Sequence, residues 1–297
     1  MQLLGEQITT IPRPTFDAAF RAIPENAADA LLVPVENSLA GSVVRVYDLL
    51  LENHLAIVAE TILPIELNLI GCPGSSMEQL RSASSHPMAL AQCERFFANH
   101  PQLKRVPAED TAGSVRDVLA RGDKSCGAIA GRRAAVHYGA AILKESIQDN
   151  AENFTRFVLL IPTAHTDESD PPNSARAASP SETDLVRELV MRQMEQPVRP
   201  PMLKMSIAMR LAHRPGSLLS SLEPFARNGV NLMKIESRPI HGQPWAYQFF
   251  VDLETDDPGR LEPALSELRQ AAHEVRVLGL YPPAKATAAG SAAGQNK

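Results

Sequence analysis

Short apolar, β-rich runs alternate with helical periodicity over the first 162 residues, and this alternation limits the fold more than any other feature. Predicted strands cover 30–35, 55–60, 65–70 and 125–130, and predicted helices cover 41–51, 87–97 and 111–120. The series indicates an α/β domain with parallel strands and helices packed on the sheet faces. Ligands of such folds bind beyond the carboxyl ends of strands or in a cleft between two lobes.

Residues 163–201 interrupt the alternation with a proline-rich composition that is typical of a linker. One amphipathic helix is predicted inside this linker, because Ser181 is a suitable cap and an apolar stripe runs from Leu185 to Met194. Residues 284–297 are predicted to form a disordered tail. The first domain is therefore expected to cover residues 1–162.

A second, compact pattern follows the linker over residues 202–283. Its predicted elements are a strand over 205–211, a helix over 215–228, strands over 231–238 and 246–253, a helix over 260–272 and a strand over 275–281. The order β-α-β-β-α-β is that of a ferredoxin-like domain. The sequence thus predicts a smaller second domain with its own core.

Charge and cysteine content exclude several classes of protein. The net charge of −5, without a basic block, argues against a nucleic-acid partner. No secretory leader pattern or membrane-spanning apolar run is found in the sequence. Cys72, Cys93 and Cys126 are widely spaced and odd in number, which suits a reducing compartment. These features predict a cytoplasmic protein.

Thr155 and Arg156 stand side by side before the apolar run Val158–Ile161, which indicates a buried strand. The Thr155 hydroxyl can donate a hydrogen bond to a leaving oxygen, and the Arg156 guanidinium can grip a carboxylate. The structural alternative is that Thr155 is simply a good strand former and that Arg156 extends to solvent.

Glu36, Asn37 and Ser38 follow a predicted strand and precede a predicted helix. A turn at this position can hold polar groups of a binding site. Helix capping by Asn37 or Ser38 is the structural alternative, because free backbone N–H groups at a helix start need acceptors.

Ser85, His86 and Pro87 repeat the same design, since Pro87 suits the first turn of a helix. His86 can carry a proton in a reaction, although a single histidine without a visible partner is more often structural. Gln92 lies on the same predicted helix and points either into a site or to solvent.

Two turns of the second domain can hold a zwitterionic amino acid. The turn Pro215–Leu218 offers exposed backbone N–H groups for a carboxylate, and Glu236 in the segment Glu236–Pro239 offers a carboxylate for an ammonium group. The structural alternative is two ordinary tight turns.

Taken together, many short segments in this order strongly resemble prephenate dehydratase, a family of phenylalanine biosynthesis with a C-terminal ACT domain. The matching segments are Val33–Ser38, Gly41–Val43, Asp48–Leu50, Ser85–Pro87, Ala89–Cys93, Thr111–Ala112, Ala128–Ala130, Tyr138–Gly139, Ile147, Asp149–Asn150, Asn153, Thr155–Phe157 and Asn231–Pro239. The resemblance covers nearly the whole chain except the linker. It implies a two-lobed catalytic domain like that of periplasmic binding proteins, followed by the ferredoxin-like ACT domain.

The resemblance implies a carbon–oxygen lyase that converts prephenate to phenylpyruvate, carbon dioxide and water without a metal or organic cofactor. It assigns the critical hydroxyl to Thr155. Substrate contacts are then expected from Arg156, Phe157, Asn37, Ser85, Gln92, Glu36 and His86. An arogenate dehydratase is the alternative within enzymes, because its substrate differs by one amino group on the side chain. A phenylalanine-binding protein without catalysis is the alternative outside enzymes.

The resemblance further implies that the ACT domain binds phenylalanine at a subunit interface and thereby inhibits the enzyme. The effector residues would be Gly216, Ser217, Leu218, Asn231, Glu236, Ser237, Arg238 and Pro239. A homodimer or homotetramer is expected. Nucleic acid and membrane are not expected as partners.

Four departures from the family pattern are visible. The family's first strand and its Gly-Pro-x-Gly-Thr-Phe-Ser loop have no counterpart, because Thr15-Phe16 already matches a later stretch. Met88 stands where glutamine is usual, and Ser217 stands where alanine is common. The linker is also longer than usual. The missing loop is the departure that favours the phenylalanine-binding alternative.

Overall fold

The computed structural model describes residues 3–4, 8–163, 202–240, 242–243 and 245–284. The predicted linker helix and all but the first residue of the predicted tail lie outside the described residues. Within the described part of the chain, no helix combines the length and the apolar character that a bilayer span requires.

Eight α-helices are described: α1 Phe16–Arg21, α2 Val44–Glu52, α3 Pro87–Ala91, α4 Glu94–Ala98, α5 Thr111–Arg121, α6 Arg132–Tyr138, α7 Ser217–Arg227 and α8 Leu261–Ala271. The described strands are β1 Leu31–Asn37, β2 Gly41–Ser42, β3 Leu55–Pro64, β4 Asn68–Gly71, β5 Ser82–Ser85, β6 Lys104–Pro107, β7 Cys126–Ala130, β8 Ala141–Lys144, β9 Phe154–Pro162, β10 Leu203–Arg210, β11 Asn231–Pro239, β12 Tyr247–Thr255 and β13 Glu274–Tyr281.

The chain forms two compact units, here called the large unit and the small unit. The large unit comprises Met1–Glu36, Ser42–Ile62 and Arg156–Lys297, and the small unit comprises Asn37–Gly41 and Leu63–Thr155. The predicted α/β class is confirmed in both.

An eight-stranded sheet in the order β11-β12-β10-β13-β3-β9-β1-β2 forms the large unit. Its first four strands, with α7 and α8, have the predicted β-α-β-β-α-β order, and β10 pairs antiparallel with both β12 and β13. This confirms the ferredoxin-like topology. We call Leu203–Tyr281 the C-terminal subdomain.

The C-terminal subdomain joins the rest of the large unit through Gly279. Strand β13 runs parallel to β3 with Gly279 opposite Ile57. A Cβ atom at Gly279 would overlap the Ile57 carbonyl oxygen, so only glycine allows this approach. The rings of Tyr47 and Phe250, 4.8 Å apart, belong to the shared core beneath the sheet. The subdomain therefore shares one core with strands β1, β3 and β9.

The small unit contains a five-stranded sheet in the order β6-β5-β7-β4-β8. Strand β5 pairs parallel with β6 and β7, whereas β4 pairs antiparallel with β7 and β8. The expectation of purely parallel strands is therefore wrong for this sheet. Apolar runs buried on both faces look the same in either direction, so strand direction was not encoded in the pattern.

Two predicted helices differ from the observed ones. The helix predicted over 87–97 is divided into α3 and α4, and the one predicted over 41–51 begins only at Val44. Gly41 has a φ of 81° and belongs to the short strand β2. Glycine adopts this left-handed backbone freely, so the helix cannot extend back to it.

Candidate active site

The side chain of Asn37 is held in a single orientation at the end of β1. Its Oδ1 accepts hydrogen bonds from the backbone N–H groups of Leu39 (3.0 Å) and Ala40 (2.9 Å). Because the carbonyl oxygen is used in this turn, the Nδ2 group must point the other way. The helix-capping alternative for Asn37 is wrong, because α2 begins only at Val44 with Val43 at the cap position. Asn37 instead satisfies the free N–H groups of the turn before β2.

The Nδ2 group of Asn37 shares its two hydrogens among three oxygens of the segment that enters β9. The acceptors are Asn153 Oδ1 at 2.7 Å, the Phe154 carbonyl at 3.0 Å and Thr155 Oγ1 at 3.0 Å. Thr155 Oγ1 is therefore an acceptor towards Asn37. Its own hydrogen points away from Asn37 and is left for another acceptor.

Asn153 extends this arrangement to the helix side of the small unit. Its Nδ2 donates to Gln92 Oε1 at 3.0 Å, and only 1% of the residue is exposed. The Gln92 backbone carbonyl accepts from the backbone N–H of Asp149 at 2.7 Å. The Gln92 side chain thus points inward, which was one of the two possibilities left open by the sequence. We call Gln92, Asn153, Asn37 and Thr155 the amide chain.

All members of the amide chain are neutral, and each orients the next by hydrogen bonding. Asn153 belongs to the motif that carries the family resemblance, but it was not among the predicted site residues. A signal was present, because a polar residue directly before a buried strand needs a partner once it is buried. The partners themselves lie 116 and 61 residues away in the sequence and could not be assigned from it.

Ser85 forms a hydrogen bond between neighbouring strands. The residue is fully buried, and its hydroxyl donates to the Ile129 carbonyl at 2.6 Å. This bond fixes the end of β5 against β7, and the expected substrate contact of Ser85 stays a prediction. Sequence could not distinguish the two roles, since burial of the last strand residue depends on the neighbouring strand.

His86 is exposed at the start of α3, and its Nδ1 accepts from the Met88 backbone N–H at 3.2 Å. This is a helix-capping role, as expected of a structural histidine. With Nδ1 as acceptor, a neutral His86 carries its hydrogen on Nε2, which leaves that atom as a possible donor. His86 and Gln92 lie at opposite ends of α3.

Arg156 lies in a buried set of charges in the large unit. Its Nε donates to Glu60 at 2.6 Å, its Nη1 donates to Asp252 at 2.5 Å, and its Nη2 donates to Tyr281 at 3.0 Å. Only 11% of the Arg156 side chain is exposed. The interpretation that Arg156 extends to solvent is therefore wrong, whereas its expected contact with a substrate carboxylate stays a prediction.

Further polar groups complete this set. Glu60 also accepts from Lys204 Nζ at 2.7 Å, and Ser206 Oγ donates to Asp252 at 2.5 Å and lies 2.7 Å from the Tyr281 hydroxyl. We call the whole set the charged cluster. It consists of Arg156, Glu60, Asp252, Lys204, Ser206 and Tyr281.

The charged cluster raises the pKa of two of its members, Arg156 and Tyr281. Burial alone would lower the pKa of Arg156, but the carboxylates of Asp252 and Glu60 raise it above its ordinary value. Burial, together with the Asp252 carboxylate, raises the pKa of Tyr281. Arg156 is thus a permanent cation and Tyr281 a neutral phenol at physiological pH.

Glu36 and Phe157 complete the predicted substrate residues. Glu36 forms an ion pair with Lys234 at 3.0 Å and lies 3.9 Å from Arg156, while 36% of its side chain is exposed. Phe157 is half-buried on β9. Glu36 therefore belongs with the charges of the large unit rather than with the amide chain.

The predicted effector residues of β11 lie on two faces of the sheet. Glu236 accepts from Ser42 Oγ at 2.8 Å, and Arg238 pairs with Asp48 at 3.6 Å, so both face β2 and α2. Ser237 and Pro239 are opposite Phe249 and Tyr247, on the other face. Side chains alternate along a strand, so one chain cannot present all four to a single ligand.

The glycine turn lies on the same face as Ser237 and Pro239. A cavity of about 560 Å³ lies at the start of α7, which begins directly after Gly216, and Ser217 and Leu218 line it. The other lining residues are Arg210, Leu211, Ala212, His213, Arg214, Gln243, Trp245, Ala246, Tyr247, Phe249 and His273. Asn231 is exposed at the start of β11 and does not line the cavity.

This cavity combines cations, aromatic rings and an unused hydroxyl. Arg210 and Arg214 supply positive charge, and Trp245 is 78% exposed. The Oγ of Ser217 is buried without a hydrogen-bond partner among the described residues. A carboxylate bound at the start of α7 would satisfy that hydroxyl and the free N–H groups of the first turn.

Comparison with known proteins places the chain in a family. A family model described as prephenate dehydratase matches residues 1–164. An Arabidopsis thaliana protein named arogenate dehydratase/prephenate dehydratase 1, chloroplastic, is 35% identical over 92% of this chain and 66% of its own length. The chain spans about two thirds of the length of the curated relatives it matches.

Two solved structures are similar over most of the chain. A structure described as prephenate dehydratase in complex with L-Phe, from Arthrobacter aurescens, has a TM-score of 0.73 and 29% identity and covers 93% of this chain and 81% of that one. Another, described as GqqA, a novel type of quorum quenching acylase, has a TM-score of 0.76 and 30% identity and covers 94% and 90%.

Proposed function

This chain belongs to the prephenate dehydratase family, and we propose that it catalyses the decarboxylating dehydration of prephenate or arogenate. The reaction removes carbon dioxide and the ring hydroxyl, and the ring becomes aromatic. Prephenate would give phenylpyruvate, and arogenate would give phenylalanine. The relatives found in the comparisons are named for both substrates, so both are retained.

The hydrogen bond from Asn37 Nδ2 to Thr155 Oγ1 is the observation that carries this proposal. It makes the Thr155 oxygen an acceptor and directs its hydrogen away from Asn37. A hydroxyl held in this way can donate to the ring oxygen as that oxygen departs. Because an alcohol and water have similar acidity, a shared proton in the transition state costs little, and aromatisation drives the step.

The rest of the amide chain supports this role by orientation. Leu39 and Ala40 fix the Asn37 oxygen, and Asn153 is fixed by Gln92. Each amide is therefore held before substrate arrives, so little reorganisation is needed during the reaction. The chemistry assigned to Thr155 requires only a neutral donor.

Acylase chemistry, which is attributed to one of the similar structures, is less well supported. Acyl transfer by a side chain needs a nucleophile paired with a base. Ser85 donates to the Ile129 carbonyl, and His86 Nδ1 accepts from the Met88 N–H. Both of these neighbouring side chains are thus engaged at helix and strand ends, and we do not propose this activity.

A two-substrate assay tests the proposed reaction. Purified protein is given prephenate in one reaction and arogenate in another, and phenylpyruvate and phenylalanine are measured by chromatography. We expect one substrate to be converted with a clear excess in kcat/KM. If neither is converted at high protein concentration, the dehydratase proposal is wrong and the phenylalanine-binding alternative remains.

We propose further that L-phenylalanine binds as an effector in the cavity at the start of α7. The Arthrobacter aurescens protein is described as a complex with L-Phe, and this cavity offers cations, aromatic rings and the Ser217 hydroxyl. Saturating phenylalanine should raise the melting temperature, because a ligand of the folded state stabilises it by about 2.7 kcal/mol at a hundred times its Kd. Phenylalanine should not raise the melting temperature of the variant Trp245→Ala. The same rise as in wild type would mean that phenylalanine binds outside this cavity.

A homo-oligomer in the cytoplasm is also part of this proposal. Strand β11 is the edge strand of the large sheet, and Leu232, Met233 and Ile235 on it are 41%, 50% and 40% exposed. Apolar side chains on an open edge favour association with a second copy. Light scattering should show a dimer or tetramer, and Ile235→Lys should reduce the mass of that oligomer.

The three cysteines are unpaired, which agrees with a reducing compartment.

A further inference from the structure

The chain passes between its two units next to both ends of the Asn37–Thr155 hydrogen bond. One passage lies between Glu36 and Asn37, and another lies between Thr155 and Arg156. On the small-unit side, each passage begins with a member of the amide chain. On the large-unit side, each ends with a charged residue that is held by an ion pair.

Each of these two charged residues has one ion-pair partner in the C-terminal subdomain. Arg156 donates to Asp252 of β12 at 2.5 Å, in addition to its bond to Glu60, and Glu36 pairs with Lys234 of β11 at 3.0 Å. The two anchored residues also lie 3.9 Å from each other. Strands β11 and β12 thus supply one partner to the large-unit residue of each passage.

The Arg156–Asp252 pair is shielded from water, whereas the Lys234–Glu36 pair is partly exposed. The exposed fractions of the side chains are 11% for Arg156 and for Asp252, 13% for Lys234 and 36% for Glu36. Lys234 Nζ also donates to Ser42 Oγ at 3.0 Å and lies 5.3 Å from the centre of the Tyr47 ring. A pair as little exposed as Arg156–Asp252 is screened weakly, so its loss displaces the groups that it holds.

We propose that Asp252 and Lys234 are positioning residues for the dehydratase reaction. They fix Arg156 and Glu36, which are the covalent neighbours of Thr155 and Asn37, and they thereby fix the donor geometry of the amide chain. The inference rests on the proposed function, because it concerns the same hydroxyl. A displacement of about 1 Å in such a group can lower a rate by about a hundredfold.

The variant Asp252→Asn tests the first anchor, because it removes the charge and keeps the shape. We expect kcat to fall about tenfold while KM changes less than about threefold, since orientation acts in the transition state. The matched control is Asp256→Asn, which makes the same chemical change just after the same strand. Asp256 pairs with Arg260 at 3.5 Å and 59% of its side chain is exposed, so kcat of this variant should stay within about twofold of wild type.

Two more variants separate positioning from general damage. Lys234→Met keeps the aliphatic stem over Tyr47 and should lower kcat in the same way. It keeps the test valid if Asp252→Asn fails to fold. Asp252→Glu restores the charge and should recover most of kcat. A rise in KM with unchanged kcat in both anchor variants would overturn the positioning role.

Hydrogen–deuterium exchange provides a readout that does not depend on turnover. Peptides covering 35–38 and 153–156 should exchange faster in Asp252→Asn and Lys234→Met than in wild type, and not in Asp256→Asn. If the wild-type protein converts neither substrate, the proposed function fails, and exchange still decides whether the anchors fix this segment. Unchanged exchange in both anchor variants, or an equal change in the control, would overturn the proposal.

Discussion

The amide chain and the charged cluster contain adjacent residues, Thr155 and Arg156, but differ in charge and in what they do with their hydrogens. Thr155 ends a neutral series of hydrogen bonds in the small unit, whereas Arg156 lies in a series of charges in the large unit. The neutral series leaves the hydroxyl hydrogen of Thr155 available for donation to a substrate. The charged series holds its cation firmly, because each of the three guanidinium nitrogens of Arg156 has an acceptor.

The difference shows why a reactive group and its anchor need different chemistry. A buried cation whose pKa is raised by carboxylates cannot deliver a proton near neutral pH. It does hold its strand in one position, because moving it would leave an uncompensated charge. A neutral amide can orient a hydroxyl without changing its charge. Adjacent residues can therefore act separately as donor and anchor.

Among the variants that test this comparison, Glu60→Ala should have the largest effect, which is on the free energy of unfolding. The substitution leaves both Arg156 and Lys204 without their shared carboxylate and should cost about 3–5 kcal/mol of unfolding free energy. In the neutral series, Asn153→Ala leaves unpaired amides and should cost only about 1–3 kcal/mol. Urea unfolding midpoints near neutral pH measure both.

A surface pair provides the control for this stability difference. Glu94 pairs with Arg105 at 2.5 Å, but 61% of its side chain is exposed. Glu94→Gln should therefore change the free energy of unfolding by less than about 1 kcal/mol. If Glu60→Ala costs no more than the control, the charged cluster is not an anchor and the comparison is wrong.

The next effect is on the reaction rate and concerns Thr155→Val. The variant keeps the shape of a strand residue and removes the donor, so kcat should fall by about 10²–10³ with little change in melting temperature. Thr155→Ser should retain most of the rate. Thr163→Val is the matched control, since Thr163 donates to the His54 carbonyl just beyond the other end of β9. A normal rate for Thr155→Val would remove the hydroxyl from the mechanism.

Much of the fold was predictable from the sequence, because its strongest signals are local. The ferredoxin-like subdomain is confirmed in order, and the helix predicted over 215–228 is observed as Ser217–Arg227. The strand β6 was missed, since all four of its residues are exposed and give no apolar pattern. The sharing of one sheet through Gly279 was also not predictable, because it depends on a contact with Ile57 on a strand far away in the sequence.

The candidate site was predictable in part for the same reason. The motif located Thr155, Asn37 and Gln92, which the structure brings together through Asn153. It could not show that Arg156 is taken by Asp252, because that partner lies 96 residues further along the chain. The type of a residue determines which interactions it can make. Its partners in the folded structure decide which of those interactions it does make.

A smaller effect is expected for Asn37→Asp, which reverses the hydrogen bond in the neutral series. A carboxylate cannot donate to Thr155, so Thr155 would donate to it and lose its hydrogen for the substrate. We expect kcat to fall about tenfold or more, to a value above that of Thr155→Val. Asn53→Asp is the control, since Asn53 only donates to the Leu49 carbonyl at the end of α2. Full activity in Asn37→Asp would contradict the donor direction assigned here.

The smallest effect concerns Tyr281→Phe, which removes one neutral group from the charged series. Tyr281 is the acceptor for Arg156 and lies beside Ser206, so the loss near pH ~8 should be about 1 kcal/mol. Its pKa is raised above the ordinary value of 10.0 by burial and by the Asp252 carboxylate. The folded state therefore binds this proton more tightly than the unfolded state does, and its stability declines as pH rises above about 10.

The variant should show a flatter decline in that alkaline range, because it has one fewer group to ionise on unfolding. The difference in slope is at most about 1.4 kcal/mol per pH unit for one such group. Urea midpoints between about pH 8 and about pH 11 measure it, since this range spans the ordinary tyrosine pKa. Tyr247→Phe is the matched removal of a phenol outside the charged cluster, at a tyrosine that is 37% exposed. Equal slopes for wild type and Tyr281→Phe would mean that the phenol is not held neutral by its position in the charged cluster.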